Sequence, residues 1–229
     1  MTLTDGLLLA ASFLSGSIPF GLLITRAKGI DIRTVGSGNI GATNVGRALG
    51  KKYFILCLVL DALKGLLPVL AAGFGLGAIG TTMPAPGTSW VWLACMAAAV
   101  LGHVFCPWLK FKGGKGVATS LGALLGVFPV MTIAGLGTLL VWAVFLKGLR
   151  YMSLASMIAA ASLPAWVTLM VALAPRSPDA GPGSRWQHGL PYILVASALG
   201  LLVIWAHRAN IARLRAGTEP RFGAAKPKA

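Results

Sequence analysis

The sequence predicts an all-α protein that crosses a membrane several times. Hydrophobic residues make up 56% of the 229 residues and charged residues only 11%, which leaves too little polar surface to cover a water-soluble globule. The mean hydropathy of +0.80 agrees with this conclusion. A membrane-spanning helix needs about 20 apolar residues, and six runs approach or exceed that length: 3–25, 53–76, 90–106, 117–146, 151–173 and 190–206.

The first run is interpreted as a retained span rather than as a cleavable signal peptide. It contains Asp5 near its start, and no basic segment precedes it. A signal peptide has a positively charged region before its apolar core. We therefore count residues 3–25 among the membrane spans.

The fourth run decides how many spans the chain has. Residues 117–146 are too many for one ordinary span, and Pro129 near the middle offers a break, because proline interrupts helical hydrogen bonding. Two short spans put 17 of the 20 Lys and Arg residues on one side of the membrane, as expected for the cytoplasmic side. We therefore expect a polytopic protein of seven transmembrane helices, with its N-terminus outside and its C-terminus cytoplasmic. The membrane domain covers residues 1–208, and a basic tail covers 209–229.

The formal net charge of +15 limits the expected partners. The basic residues lie between apolar spans rather than on a soluble helix or sheet, so nucleic acid is not expected, whereas anionic membrane lipids and phosphorylated substrates are. Cys57, Cys95 and Cys106 have no paired spacing. They are interpreted as small buried hydrophobic residues, with neither a metal site nor a disulfide framework.

A glycine-rich loop between the first two spans carries many hydrogen-bond donors. Glycines let backbone N–H groups converge on an oxyanion, neutral side chains add donors, and an arginine can bind phosphate bidentately. A solvated turn is the ordinary alternative for such a loop, but the density of donors favours a phosphate site. The candidate residues are Gly36, Ser37, Gly38, Asn39, Thr43, Asn44 and Arg47.

A second polar cluster follows the third span, where a proline ends the apolar run and aromatic residues alternate with lysines. Gly113, Gly114 and Lys115 then open the next helix, and a helix N-terminus beside a lysine is suited to binding an anion. The spacing is not that of a Walker A loop, so ATP is not implied. Lys110 and Lys112 are interpreted as lipid-headgroup anchors, and Lys115 as a ligand-binding charge.

The third cluster lies directly after the last span, where His207 and Asn210 share a face at helical spacing. A histidine at a span's end is more often an interfacial cap, but Asn210 one turn away favours a substrate contact. Asp61 and Lys64 lie within the second span and are expected to pair, because either charge buried alone would be costly. A structural tie between helices is the preferred role of this pair, and a proton path or substrate relay is the alternative.

Four separated blocks, 15–21, 36–47, 102–119 and 207–222, resemble the signature blocks of the bacterial acyl-phosphate:glycerol-3-phosphate acyltransferase family. One departure is Ala209, where the family typically has a glutamate after the His-Arg pair. The resemblance implies a multi-pass enzyme of the bacterial cytoplasmic membrane whose active site faces the cytoplasm. Such an enzyme transfers a fatty acyl group from acyl phosphate to the 1-hydroxyl of glycerol 3-phosphate, giving lysophosphatidic acid and phosphate.

The resemblance also implies roles for individual residues, with no cofactor and no metal. Phosphate groups would be held by Ser37, Thr43, Asn44, Arg47 and Lys115, and glycerol 3-phosphate would be oriented by His207 with Asn210. The catalytic candidates are therefore Ser37, Arg47, Lys115, His207 and Asn210. The substrate-binding candidates are Gly36, Gly38, Asn39, Thr43, Asn44, Gly113 and Gly114.

The chemistry of acyl phosphate agrees with these residue types. The donor is already activated, so attack by the substrate hydroxyl needs proximity and charge stabilisation rather than a nucleophilic serine or cysteine. The proton acceptor is either His207 or a phosphate oxygen of the substrate. The phosphate oxygen is preferred, because no acidic residue lies beside His207 in the sequence.

No histidine is followed five residues later by aspartate, which disfavours a thioester-using acyltransferase. His103 is expected to be structural.

Two other classes of protein remain as alternatives. A multi-pass transporter or exchanger of an organic phosphate would also need basic, glycine-rich loops, but its site should lie near the midplane on broken helices. A non-catalytic membrane subunit that recruits anionic partners explains the charge but not the donors of the 36–47 loop.

Overall fold

The computed structural model describes residues 2–173, 175 and 183–223. The regular structure of these residues is helical, with no strand among them, as predicted. Two 3₁₀ turns cover Ile32–Thr34 and Pro107–Leu109. The α-helices are α1 (Leu3–Ser17), α2 (Phe20–Arg26), α3 (Ala42–Leu49), α4 (Lys51–Gly75), α5 (Pro86–Val104), α6 (Val117–Leu125), α7 (Val130–Leu149), α8 (Met152–Leu173), α9 (Arg185–Ala206) and α10 (Arg208–Arg215).

Within the described part of the chain, six helical segments are long and apolar enough to cross a membrane. They include α4, α7, α8 and α9, together with the continuous segments Leu3–Arg26 and Pro86–Leu109. The predicted fourth run is divided: α6 ends at Leu125, and α7 begins after its N-cap Pro129. The predicted break at this proline is therefore confirmed. With nine residues, α6 is too short to cross a bilayer by itself.

The helix of the first span is interrupted close to its C-terminal end. Helix α1 ends at Ser17, and α2 begins after Pro19, whose ring removes a backbone donor and fixes its φ angle. At the other end, the side chain of Thr2 accepts a hydrogen bond from the backbone of Asp5, and the Asp5 carboxylate accepts one from the backbone of Thr2. This capping box gives Asp5 a local role in starting the helix.

Helix α5 is the central helix, and its span has the largest buried share of the six. It packs against α1, α4, α6 and α9. A methyl group at Gly16 of α1 would overlap the backbone of Ala99, and one at Gly102 of α5 would overlap the backbone of Phe13. Glycines therefore let these two helices approach closely, as small residues do in membrane proteins.

Helix α6 is held against α4 in the same way. A methyl group at Gly122 would overlap the carbonyl of Ala62, and one at Gly65 would overlap the carbonyl of Thr119. Helices α7, α8 and α9 pack successively on the other side of α6 and α5. The short helix α6 is thereby fixed inside the bundle.

Two connections are shorter than the apolar runs suggested. Helix α5 already begins at Pro86, before the apolar run 90–106 starts, and α9 begins at Arg185, before the run 190–206 starts. Pro86 opens α5, and the capping box of Ser184 and Gln187 opens α9, which explains why the apolar pattern alone missed their first turns. Arg176 and Asp179 of the second connection, and Lys226 and Lys228 of the tail, lie outside the described residues.

Candidate active site

An open cleft lies where the 37–47 segment, the start of α6, the start of α8 and the α9–α10 junction meet. An adjoining cleft shares part of its wall and includes Gly113 and Gly114. The three polar clusters converge on the first cleft, whose lining includes Ser37, Asn39, Thr43, Asn44, Arg47, Lys115, His207 and Asn210. Of the predicted residues, Gly36 and Gly38 line neither cleft.

The first wall is half loop and half helix, whereas the sequence suggested a loop throughout. Helix α3 begins at Ala42 with Gly41 as its N-cap, so Thr43 and Arg47 lie one turn apart on a helix. The N-terminus of α3 faces the cleft, since Gly41 and Ala42 belong to the cleft lining. A helix N-terminus carries a partial positive charge that favours a phosphate.

Asn44 shapes the loop rather than offering free donors. Its Nδ2 donates to the carbonyl oxygens of Val35 and Asn39, each at 2.9 Å, and its Oδ1 accepts from the backbone N–H of Ser37 at 3.1 Å. Gly36 and Gly38 adopt the left-handed region, with φ of 60° and 68°. The glycines and Asn44 therefore build the turn that presents Ser37 to the cleft.

The second wall, from Gly113 to Lys115, differs from the expected anion nest. The N–H of Gly113 donates to the carbonyl of Val104 at 3.0 Å, and the N–H of Gly114 donates to that of His103 at 3.1 Å. These donors therefore satisfy the end of α5 instead of facing a ligand. Lys115 lies next in the chain and lines both clefts. Burial lowers the pKa of its ammonium group to about 8.

The third wall contains His207 and Asn210, which are 2% and 4% exposed. His207 Nδ1 lies 2.7 Å from the carbonyl oxygen of Val203. A carbonyl oxygen only accepts, so Nδ1 carries the hydrogen and Nε2 is left as an acceptor. Burial, helped by the charge of Lys115, lowers the pKa of His207 to about 4, so its imidazole is neutral at pH 7.

Glu219 is a site residue that the sequence analysis did not select. Its Oε1 accepts from Ser153 Oγ at 2.6 Å and from Asn210 Nδ2 at 2.7 Å, and its Oε2 accepts from Arg213 Nε at 2.7 Å. Burial opposes its ionisation, but these three hydrogen bonds outweigh burial and hold its pKa below the usual value. Its position as the single acidic residue of the basic tail was the available signal.

Asp61 and His103 complete the lining of the cleft from α4 and α5. The predicted pair of Asp61 and Lys64 is confirmed, with Nζ 2.8 Å from Oδ1. Lys64 Nζ also donates to the carbonyl of Ile18 at 2.6 Å, which ties α4 to the break between α1 and α2. A carboxylate therefore belongs to the cleft lining, but its charge is compensated by a buried lysine.

The lining of the cleft has positive charges that no nearby carboxylate balances. Both carboxylates in its lining, those of Asp61 and Glu219, are paired with cations at 2.8 and 2.7 Å. Arg47 and Lys115 have no carboxylate within 4 Å in the described part of the chain. Two uncompensated cations beside neutral hydrogen-bonding groups make this cleft suited to anions that carry a phosphate group.

The fold and the site together define an integral membrane protein with an anion-binding cleft among its helices. The family described as Glycerol-3-phosphate acyltransferase matches residues 6–217. The chain belongs to this family, and the resemblance of the four sequence blocks is confirmed.

Relatives and solved structures support this membership along the whole chain. A glycerol-3-phosphate acyltransferase of Geobacter metallireducens is 48% identical over 222 residues, covering 97% of this chain and 100% of the relative. One of Geobacter sulfurreducens is 45% identical over 225 residues, with the same coverage. Crystal structures of PlsY, an integral membrane glycerol 3-phosphate acyltransferase, are 41% identical and cover 96% of both chains. The glycerol 3-phosphate form superposes with a TM-score of 0.78, and the lysophosphatidic acid form with 0.75.

Proposed function

We propose that this protein transfers a fatty acyl group from acyl phosphate to the 1-hydroxyl of sn-glycerol 3-phosphate, releasing lysophosphatidic acid and inorganic phosphate. The observation that carries the proposal is the convergence of Arg47, Lys115 and His207 on one cleft, although they come from three distant connections. Both substrates carry a phosphate, and two uncompensated cations reduce the repulsion between them.

The residues at the cleft have complementary roles in this proposal. Arg47 and Lys115 hold the phosphate groups, and Ser37 and Thr43 add neutral donors near the N-terminus of α3. Asn210 donates its amide hydrogen to Glu219, and its Oδ1 is a buried acceptor with no hydrogen-bond partner among the described residues. That oxygen is available to accept a hydrogen bond from a glycerol hydroxyl.

The transfer step balances without a nucleophile from the protein. The 1-hydroxyl oxygen forms a bond to the acyl carbon, the bond between that carbon and the phosphate oxygen breaks, and phosphate leaves with the electron pair. Neutral His207, whose pKa is about 4, accepts a hydrogen bond at Nε2 and orients the hydroxyl, but it is a weak base at pH 7. The proton therefore passes to a phosphate oxygen, since phosphate monoesters have a second pKa of about 6.

The apolar part of the cleft suits the acyl chain. Phe54 and Leu58 of α4 and Trp142 of α7 belong to the cleft lining, and both helices are largely exposed along their spans. A fatty chain that lies between α4 and α7 would keep its phosphate end at the cations and its tail in contact with lipid.

We also propose seven membrane crossings, with the N-terminus outside and the cleft facing the cytoplasm of a bacterial inner membrane. The additional crossing is made by α6 together with the residues that follow it up to Phe128, because α6 alone is too short. In support, α6 starts beside the cleft, whereas the N–H of Gly80, just beyond the far end of α4, donates to the carbonyl of Phe128 at 3.3 Å. Helix α7 then returns to the cleft end, where the carbonyl of Arg150 accepts from the N–H of Phe222 at 2.6 Å. A cytoplasmic cleft also agrees with the excess of basic residues at that end.

The 209–229 segment is proposed as a cytoplasmic extension of the 1–208 membrane domain. Its first part contributes Glu219 to the cleft wall, and the ring of Phe222 lies 6.5 Å from that of Phe54. Removal of the tail should therefore reduce activity as well as net charge.

A turnover assay tests the proposed reaction. Purified protein in lipid is given glycerol 3-phosphate with either acyl phosphate or an acyl thioester, and release of phosphate and formation of lysophosphatidic acid are followed. We expect turnover with acyl phosphate, and a loss of roughly 10- to 150-fold in kcat/KM for Arg47→Ala and Lys115→Ala, as for a lost charge-assisted hydrogen bond. The exposed Lys110→Ala is the matched control. Turnover with the thioester alone would reject the proposed donor.

Cysteine labelling tests the topology. In a protein whose three buried native cysteines are replaced, single cysteines at Thr218 and Thr88 should react with an impermeant reagent from opposite sides of the membrane. Labelling of both positions from the same side would reject the seven-crossing arrangement.

A further inference from the structure

His103, Asp61 and Lys64 form a buried cluster beneath the cleft, and the transfer step above does not use it. The three residues are 4%, 3% and 4% exposed. Lys64 Nζ lies 2.8 Å from Asp61 Oδ1, and His103 Nδ1 lies 3.9 Å from the same oxygen. In the described part of the chain, His103 Nδ1 has no hydrogen-bond partner. Asp61 is therefore the polar group that faces this edge of the imidazole.

The other edge of the imidazole supports the segment that carries Lys115. A methyl group at Gly114 would overlap His103 Nε2, and one at Gly113 would overlap the carbonyl oxygen of His103. The N–H of Gly114 also donates to that carbonyl oxygen. The two glycines thus lie directly on His103, and any shift of its ring must move the residue before Lys115.

The cluster is anchored to a third element. Lys64 Nζ donates to the carbonyl of Ile18 at 2.6 Å, and Ser15 Oγ donates to the carbonyl of Lys64 at 2.9 Å. Ser15 lies in the last turn of α1, and Ile18 lies at the break between α1 and α2. Because Lys64 is held from two sides, Asp61 has a fixed position from which it can orient His103.

We propose that His103, oriented by Asp61, is a positioning residue for the acyl transfer, which supports the Gly113–Gly114 backbone so that the Lys115 ammonium reaches a phosphate in the cleft. This inference rests on the proposed function, in which Lys115 binds phosphate. The imidazole is suited to the task because it is flat enough to lie under a glycine backbone and polar enough to face a carboxylate. An aliphatic side chain would leave Asp61 facing an apolar group, which is costly in a buried site.

A double-mutant cycle tests the inference. Binding of glycerol 3-phosphate and of inorganic phosphate is measured by thermal stabilisation of the purified protein for wild type, His103→Gln, Lys115→Ala and the double variant. We expect His103→Gln to weaken binding of both ligands about tenfold, as for coupled residues in contact. In the Lys115→Ala background, the same change should have no further effect, because its action passes through Lys115. Lys110→Ala, on the same connection, should bind like wild type.

Gly114→Ala provides a second route if His103→Gln does not fold. Its added methyl group presses on the His103 ring and displaces the same backbone, so it should weaken phosphate binding to a similar extent and lower the ligand-free melting temperature. Unchanged phosphate binding in His103→Gln or Gly114→Ala, or equal losses with and without Lys115, would overturn the positioning role and leave the proposed function standing. Absence of any phosphate or glycerol 3-phosphate effect on the wild type would overturn both.

Discussion

The carboxylate of Glu219 joins the tail to two other elements, and its removal should lower the stability of the protein. Glu219→Ala deletes the acceptor of Ser153 on α8 and of Asn210 on α10, which are 5% and 4% exposed. It also deletes the ion pair with Arg213. Both buried donors are then left without this partner, so the loss should appear in stability as well as in activity.

The size of the expected loss in the free energy of unfolding follows from the number and burial of these hydrogen bonds. A hydrogen bond to a charged group contributes about 1.5–3 kcal/mol net, and the two buried bonds together contribute roughly 3–6 kcal/mol. The side chain of Arg213 is one-third exposed, so its pair adds at most about 1 kcal/mol. Because the bonds share one carboxylate, they do not add fully. We expect Glu219→Ala to lower the free energy of unfolding by about 3–5 kcal/mol.

The assay is equilibrium unfolding in mixed detergent micelles, followed by tryptophan fluorescence, with the turnover assay in parallel. Glu219→Gln retains an oxygen acceptor but loses the charge, and neutral hydrogen bonds are about half as strong, so it should lose about half as much stability. The exposed neighbour Thr218→Ala is the control and should stay within about 0.5 kcal/mol of wild type. A loss of less than about 1 kcal/mol for Glu219→Ala would refute the reasoning.

Acidification gives an independent check on the same group. The pKa of Glu219 is lower in the folded protein than its usual value, so the carboxylate stabilises the folded state above the usual pKa of about 4.3. That contribution is lost as the pH falls toward and through the folded-state pKa. Wild type should therefore lose more stability than Glu219→Gln when the pH is lowered from 5 to about 3. Parallel curves would contradict the assignment.

Two further predictions concern Lys115 and the glycines of the bundle. The pKa of Lys115 is about 8, so its ammonium loses its proton as the pH rises through that value. KM for glycerol 3-phosphate should then increase in wild type but not in Lys115→Arg. A KM of wild type that stays constant from pH 7 to 9, a range of about one unit on either side of that pKa, would contradict the role of Lys115. Gly122→Ala should separate α6 from α4 and reduce stability and activity by roughly the cost of overpacking, about 1–3 kcal/mol in stability, whereas Gly148→Ala, with open space around it, should not.

The membrane spans could be predicted because the bilayer makes their signal local. A span needs a long apolar run whatever it packs against, and Pro129 marks a helix boundary through its own covalent structure. The first turns of α5 and α9 were missed, because capping and proline chemistry rather than hydrophobicity start these helices. The break after Ser17 lies within the 15–21 block, and Pro19 marks it inside a continuous apolar run.

The site was predicted less completely, because residue type does not reveal what a donor is bonded to. Asn44 and the N–H groups of Gly113 and Gly114 have the chemistry of phosphate ligands, but their hydrogen bonds are used within the protein. Glu219 gave a weak signal, since its partner Ser153 is 66 residues away. Only a folded chain brings such partners together.

The sequence by itself determined that this protein lies in a membrane and that its polar clusters suit phosphorylated substrates. These properties depend on composition and on order along the chain. The tertiary structure decided that Arg47, Lys115 and His207 line one cleft, that Glu219 completes its wall, and that His103 lies beneath the lysine-bearing connection. The reason is that helix packing sets distances between remote residues, and small residues such as Gly16 and Gly122 control that packing through contacts made only in the folded chain.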